Sequence, residues 1–427
     1  MLKSRLCIAF FAFAVGCAPA QKPLTDYVNP MLGTATLWDS VDLGFKPTKR
    51  TWGAEVFPGS SLPNAMVQVS PVTKFHSGAG YQYEDSVIYG FTHTNKGHWN
   101  LCHIPLLPVT GTPTPGDYCS PFSHERESAA PGYYQVFLDR YGVDAQLSST
   151  LRCAFHKYTY PAGAAASLLA DLQRSNEHVR AWDIRKEGDN VFAGWQQTGE
   201  KMYFYAVANR PVTGIEPVVE GDREVRIVRF GEGDGALELR IGFSFVSEKN
   251  ARENLEAEML GKSFAEVRSE ATATWNDLLG RIRVEGGTER EKGLFYSSLY
   301  RSFLWPALRS DVNGEFTDVD GKVINPGFRY YTGPSYWDDY RNKLILLGML
   351  APDVAADVIS SDVDKGEKRG GFMPTFFHGD HASAFVAGTY LRGNRGFDVN
   401  RAYNLVLRNA TVQGPSRPWL DEYIAKG

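Results

Sequence analysis

From about Asp26 to Val246 the apolar positions fall into short runs, many spaced two apart, with Gly, Pro and Asn between them. Glu224 to Phe230 and Leu237 to Phe243 alternate apolar and polar cleanly, as a strand with one buried face must. Ala65 to Val69, Tyr133 to Leu138, Val191 to Trp195 and Met202 to Val207 are rich in β-branched and aromatic residues and are bounded by turn formers. So many strands without intervening helices predict a β-sandwich over residues 23–248.

The period then changes to about 3.6. Ser263 with Glu266 forms a capping-box pair, and Phe264, Val267, Ala271, Trp275 and Leu278 share one helical face up to Gly280. This predicts a helical linker over 249–286. A second capping-box pair, Thr288 with Glu291, opens a helix through Leu304. The turn-like Asp311-Val312-Asn313-Gly314 and Asp318-Val319-Asp320-Gly321 follow. Helices are then predicted over 337–349, 353–361, 381–392 and 399–409, with another opening near Pro418 to Ile424. Serial helices joined by polar turns predict a helical toroid over 287–427. On this pattern the toroid is incomplete and leaves apolar helix flanks exposed; a small self-contained helical bundle is the other reading.

Composition narrows the field only slightly. A net charge of −4 offers no electrostatic footprint for nucleic acid or an anionic membrane. Nine Trp and 21 Tyr suit a protein that stacks sugar rings on aromatic faces, although most such residues serve cores. Lys3 and Arg5 precede the apolar run Leu6 to Gly16, the pattern of a secretory signal peptide over 1–20. Two processing routes remain open. Ala18-Pro19-Ala20 fits cleavage to a soluble periplasmic form, whereas Ala14-Val15-Gly16-Cys17 fits a loose lipobox with a lipid anchor at Cys17 and a place on the outer membrane or cell surface. Beyond the leader, Cys102, Cys119 and Cys153 allow at most one internal disulfide.

Several segments carry a specific resemblance. Val28 to Thr34 reads V-N-P-M-L-G-T, and Phe57-Pro58-Gly59, Met66 to Pro71, Gly80 to Tyr83 and Tyr89 to Thr94 follow in order. Ser335-Tyr336-Trp337-Asp338, Gly370 to Pro374 and Gly379-Asp380-His381-Ala382 come later. Together they resemble glycoside hydrolase family 92, the secreted bacterial exo-α-mannosidases, over nearly all of the chain after the leader. The resemblance implies an N-terminal β-sandwich and an (α/α)6 toroid, a mannose-containing glycan as partner, hydrolysis with inversion, and calcium as cofactor. It also implies that the acid and base carboxylates and the main calcium ligands lie after Gly427, so no catalytic residue is assigned within this chain. A non-catalytic secreted sugar-binding protein is the alternative. The departure Asn95 to Asn100, which replaces a small glycine-rich stretch, bears on linkage preference.

Within that resemblance Asp338 is the residue expected to accept hydrogen bonds from mannose hydroxyls, a task suited to a fixed carboxylate. Arg341, one turn on, is expected as its partner. Arg341 and Asp380 are placed with Asp338 in the substrate-binding set, although Asp380 also fits an N-cap, and His381 either contacts sugar or simply begins a helix. His93 joins the substrate-binding set, and Trp52 and Trp99 are expected to face the second domain, either stacking on sugar or sealing the seam. The five-residue spacing of His93, His98 and His103 does not bring zinc ligands together. The Asp311 and Asp318 segments lack the twelve-residue calcium pattern and read as turns.

Overall fold

The computed structural model describes residues 22–36, 44–45, 56–96, 99–233, 235–375, 379–414 and 417–426. The leader, Cys17, Trp52 and His98 lie outside the described residues. Two antiparallel sheets form the first half. One runs in the order Ser60–Ser61, Gln68–Val72, Gly90–Thr92, Leu106–Val109, Ser167–Ala170, Arg223–Phe230, Val212–Glu220. The other runs Ala181–Gly188, Val191–Gln197, Lys201–Ala208, Leu237–Ser244, Cys153–Thr159, Val143–Ser149, Tyr133–Leu138, Glu127–Ala130. Lys201–Ala208 shows why they stack: Met202, Phe204, Ala206 and Ala208 are buried and the residues between are not. Period two thus places one apolar face inward, and both inner faces share one core with Phe91, Leu168, Ile227 and Phe243.

Nine helices follow among the described residues: α1 Glu248–Glu258, α2 Phe264–Leu279, α3 Glu289–Ser302, α4 Tyr336–Asp339, α5 Lys343–Leu350, α6 Pro352–Lys368, α7 His381–Leu391, α8 Val399–Thr411 and α9 Leu420–Lys426. Both capping boxes form, Ser263 with Glu266 and Thr288 with Glu291. The linker therefore holds two helices where one was expected. Both pack on the outer face of the eight-stranded sheet, where Leu255, Met259, Phe264 and Val267 meet Phe155 and Tyr133. Gly242 permits this approach, since a Cβ there would lie 2.1 Å from the Ala251 carbonyl oxygen.

Three other elements differ from expectation. The strand expected over 65–69 sits at Gln68–Val72, because the Met66 and Val67 amides both donate to the Leu151 carbonyl and hold that stretch in a turn. The helix expected over 337–349 breaks into α4 and α5, with Asn342 capping the Lys343 amide at 2.7 Å. Helix α6 runs past Ser361 to Lys368 because Val363 and Gly366 stay buried within a polar stretch. The Asp311 and Asp318 segments are turns, closed by Gly314 N to Asp311 O and Gly321 N to Asp318 O, both 3.0 Å. Cys102, Cys119 and Cys153 form no disulfide with one another. Large apolar side chains stand exposed on the later helices, among them Met349, Leu391, Tyr403 and Tyr423, and Trp419 is exposed in the turn before α9. Among the described residues no single helix is long and apolar enough to cross a membrane.

The halves share a tight seam. Trp275 is fully buried and donates its indole N–H to the Ser61 carbonyl at 2.7 Å. Asn64 donates to the Pro306 carbonyl (2.8 Å) and Gln68 to that of Leu304 (2.6 Å). Arg301 on α3 reaches the N-terminal segment, donating to the carbonyls of Phe57 (2.8 Å), Pro30 and Leu32. Burial without a carboxylate partner pulls this guanidinium down to about 10. Arg301→Met keeps the apolar stem but strands those carbonyls. It should cost about 2–3 kcal/mol in urea unfolding, the range for charge-assisted hydrogen bonds, and open residues 22–36 to protease. An unchanged midpoint with unchanged cleavage would show that the segment is held by other contacts.

Candidate substrate-binding site

Helix α4 is one turn long, so its orientation depends on tertiary contacts rather than on its own propensity. Tyr336 points inward, fully buried, packs on Phe385 of α7, and donates its hydroxyl to the Asp362 carboxylate on α6. Lys365 neutralises Asp362 at 2.9 Å and also donates to the Tyr331 carbonyl. Burial and the Asp362 charge push the Tyr336 hydroxyl well above the ordinary phenol range. Asp339 is buried too, accepting from the Ser335 amide at 3.1 Å and pairing with Lys343 at 3.3 Å.

With Tyr336 and Asp339 fixed inward, helical geometry turns Trp337, Asp338 and Arg341 outward. All three are exposed. Ser335 does not cap the helix; its hydroxyl donates to one oxygen of Asp338 at 2.7 Å, and the other oxygen accepts no hydrogen bond among the described residues. Arg341 was expected to pair with Asp338. Instead its guanidinium lies over the Tyr340 ring at 4.9 Å and makes no ion pair among the described residues.

The start of α7 supplies the opposite wall. Gly379 takes φ +78°, which glycine tolerates, and Asp380 caps the helix by accepting from the Ser383 amide at 3.3 Å. Asn409 and Arg417 also reach the Asp380 carboxylate, at 3.2 and 3.5 Å, so its capacity is taken up by structure. His381 stacks face to face on Tyr340, centroids 4.0 Å apart and planes 9° from parallel, and neither ring nitrogen has a hydrogen-bond partner among the described residues. The Tyr340–His381 stack thus joins the end of α4, where Asp338 and Arg341 are exposed, to the start of α7, where Asp380 serves as scaffold. Sequence reasoning missed Tyr340, the ring that joins the two walls. Its only signal is position, directly after a carboxylate pair, and stacking across 41 residues of chain has no local signature.

The sandwich-side residues divide differently. His93 is fully buried in the sandwich core and does not face a ligand. Its Nδ1–H donates to the Ile104 carbonyl (2.9 Å), its Nε2 meets Nε2 of His156 (3.0 Å), and His156 Nδ1 accepts from the Tyr158 hydroxyl (2.6 Å). Every nitrogen is used with both rings neutral, and burial drives His93 down to about 3. Its alternation in the sequence is that of any inward position, so the correction needed the partners. Trp99 lies on a two-strand hairpin, Asn95–Lys96 against Trp99–Asn100. The chain leaves that hairpin through Cys102 and Ile104, both at φ near +50°, a conformation rare for a β-branched residue. His103 between them bonds Thr94, Thr198 and the half-exposed Glu177, whose carboxylate is held down to about 2, first by His103. Among the described residues no three His, Cys, Asp or Glu side chains converge to hold a metal.

Comparison with known proteins agrees with this architecture. The family model described as the glycosyl hydrolase family 92 N-terminal domain matches residues 27–253, and that described as the family 92 catalytic domain matches residues 250–427. An uncharacterized secreted glycosidase of Arthroderma benhamiae is 24% identical, over 91% of this chain and 52% of its own length. The family GH92 α-mannosidase BT3965 of Bacteroides thetaiotaomicron superposes with a TM-score of 0.84 at 26% identity, over 94% of this chain and 58% of that one. The same enzyme has been solved in complex with mannoimidazole. The inverting mannosidase BT2199 of that organism, at 24% identity and TM-score 0.82, shares the fold. This chain therefore spans a little over half the length of these relatives.

Proposed function

The chain belongs to glycosyl hydrolase family 92, and from that membership we propose that it recognises the terminal α-linked mannose of a glycan at the mouth between α4 and α7. One observation carries the reading: the Tyr340–His381 stack joins α4 to the start of α7, and exposed Asp338 and Arg341 together with His381 keep polar atoms uncommitted among the described residues. A preorganised acceptor beside two donors matches a sugar's vicinal hydroxyls. The likeness to an α-mannosidase that has been solved with mannoimidazole supports mannose as the sugar.

On this reading the whole enzyme's reaction is hydrolysis with inversion, by a carboxylic acid and a carboxylate about 6.5–9.5 Å apart. Around Asp338 the other carboxylates are already engaged, Asp339 with Lys343, Asp362 with Lys365 and Asp380 with its helix. That favours, for these 427 residues, sugar binding without turnover. Calcium remains part of the proposal by resemblance alone, and no step is routed through it. Export rests on the leader and on the secreted relative; the mature N-terminal residue would separate a lipidated Cys17 from a soluble form.

Titrating the chain with mannoimidazole, followed by calorimetry, tests the site. Asp338→Ala should weaken binding by 1.5–3 kcal/mol, roughly 10- to 150-fold, the typical cost of losing a charge-assisted hydrogen bond. Equal affinity in the variant would remove Asp338 from the site.

A further inference from the structure

We propose that Tyr340 is a positioning residue for this site, holding His381 and Arg341 in their ligand-facing poses through its ring. The proposal rests on the mannose reading above and adds how its binding groups are kept in place. Neither side chain has a hydrogen bond or ion pair among the described residues to fix it. Both rest on the same ring: His381 at 4.0 Å and 9° from parallel, Arg341 at 4.9 Å.

Left to themselves, an arginine and a first-turn histidine sample several rotamers, and binding would have to freeze both. An aromatic face restrains them without consuming their polar atoms. A carboxylate would hold the guanidinium more firmly but would occupy the donors a sugar needs. The ring is itself held. Tyr340 follows the helical turn that buried Tyr336 and Asp339 anchor, and its amide donates to the Tyr336 carbonyl at 3.1 Å. Its hydroxyl makes no hydrogen bond among the described residues, so the face, not the oxygen, does the positioning.

The test compares Tyr340→Phe with Tyr340→Leu in the full 427-residue chain, each checked for native folding by its amide NMR spectrum. Two readouts are taken, the ring-proton shifts of His381 and the affinity for mannoimidazole. In the parent and Tyr340→Phe, His381 protons should carry the upfield displacement of a stacked ring, and affinity should agree within about twofold. In Tyr340→Leu the displacement should vanish and affinity should fall about tenfold, the scale of re-immobilising two side chains. Full affinity in Tyr340→Leu would overturn the positioning role while leaving the sugar site standing. A loss in Tyr340→Phe as large as in Tyr340→Leu would assign the effect to the hydroxyl and overturn it too. If the parent chain fails to bind mannoimidazole, the sugar reading itself falls and takes this role with it, even where the His381 displacement shows the stack intact.

Discussion

Asp311→Ala should destabilise this protein by about 3–5 kcal/mol, because three buried groups lose their common acceptor at about 1–3 kcal/mol for each left unsatisfied. Asp311 is 2% exposed. One of its oxygens accepts from Asn254 (2.6 Å), the other from Asn250 (2.9 Å) and Ser244 (2.7 Å). Ser244 ends a central strand, the two asparagines lie on α1, and Asp311 itself sits in a turn before the later helices. Arg152 braces the same place, donating to the Ser310 carbonyl at 2.8 Å and pairing with Glu258 at 2.6 Å. A single carboxylate therefore ties sheet, linker and helical region, and urea unfolding with its fluorescence midpoint measures the cost. Burial raises the Asp311 carboxyl above the ordinary 3.8, although the three hydrogen bonds pull the other way. A raised folded value means that this residue's contribution is fullest below 3.8 and shrinks as pH climbs through the folded value. The stability of the parent relative to Asp311→Asn should accordingly grow as pH falls from neutral towards 4. A gap that narrows on acidification would show the carboxyl to be depressed.

Elements whose signal is local were legible in the sequence. The capping boxes at Ser263 and Thr288, the alternation in Arg223–Phe230 and Leu237–Ser244, and the D-G and N-G turns each follow from residues within a few positions. The mouth itself was half legible. Motif resemblance pointed to Asp338 and His381, and the structure sets them on facing walls. It could not say that Asp338 rather than Asp339 faces outward, because both have the same chemistry and only Tyr336 seating against Asp362 decides which way the turn faces. The break at 340–342 was invisible for a similar reason. No Gly or Pro marks it, and the apolar period of Leu344 and Leu347 reads straight through. His93 marks a limit of another kind. A histidine in a motif reads as a ligand until both nitrogens are seen to be spent on Ile104 and His156.

The 427-residue chain should release mannose from α-linked manno-oligosaccharides no faster than buffer, with calcium or with a chelator. A positioned acid or base typically contributes about 10²–10⁴-fold, so a chain without one would differ from a working enzyme by a large and easily measured factor. Asp338 keeps one oxygen without a hydrogen-bond partner among the described residues, and on the proposed reading a mannose hydroxyl takes it. Three carboxylates on α4, α6 and at the start of α7 are each held by the protein, Asp339 by Lys343, Asp362 by Lys365 with Tyr336, and Asp380 by the Ser383 amide with Arg417. Such contacts occupy the lone pairs that a general base needs to hold water. Binding and turnover should thus come apart in this chain: mannoimidazole is taken up at the α4–α7 mouth while mannosides stay intact. Calcium-dependent release of mannose by the purified chain, abolished by chelator, would show that a working acid–base pair does lie within these residues.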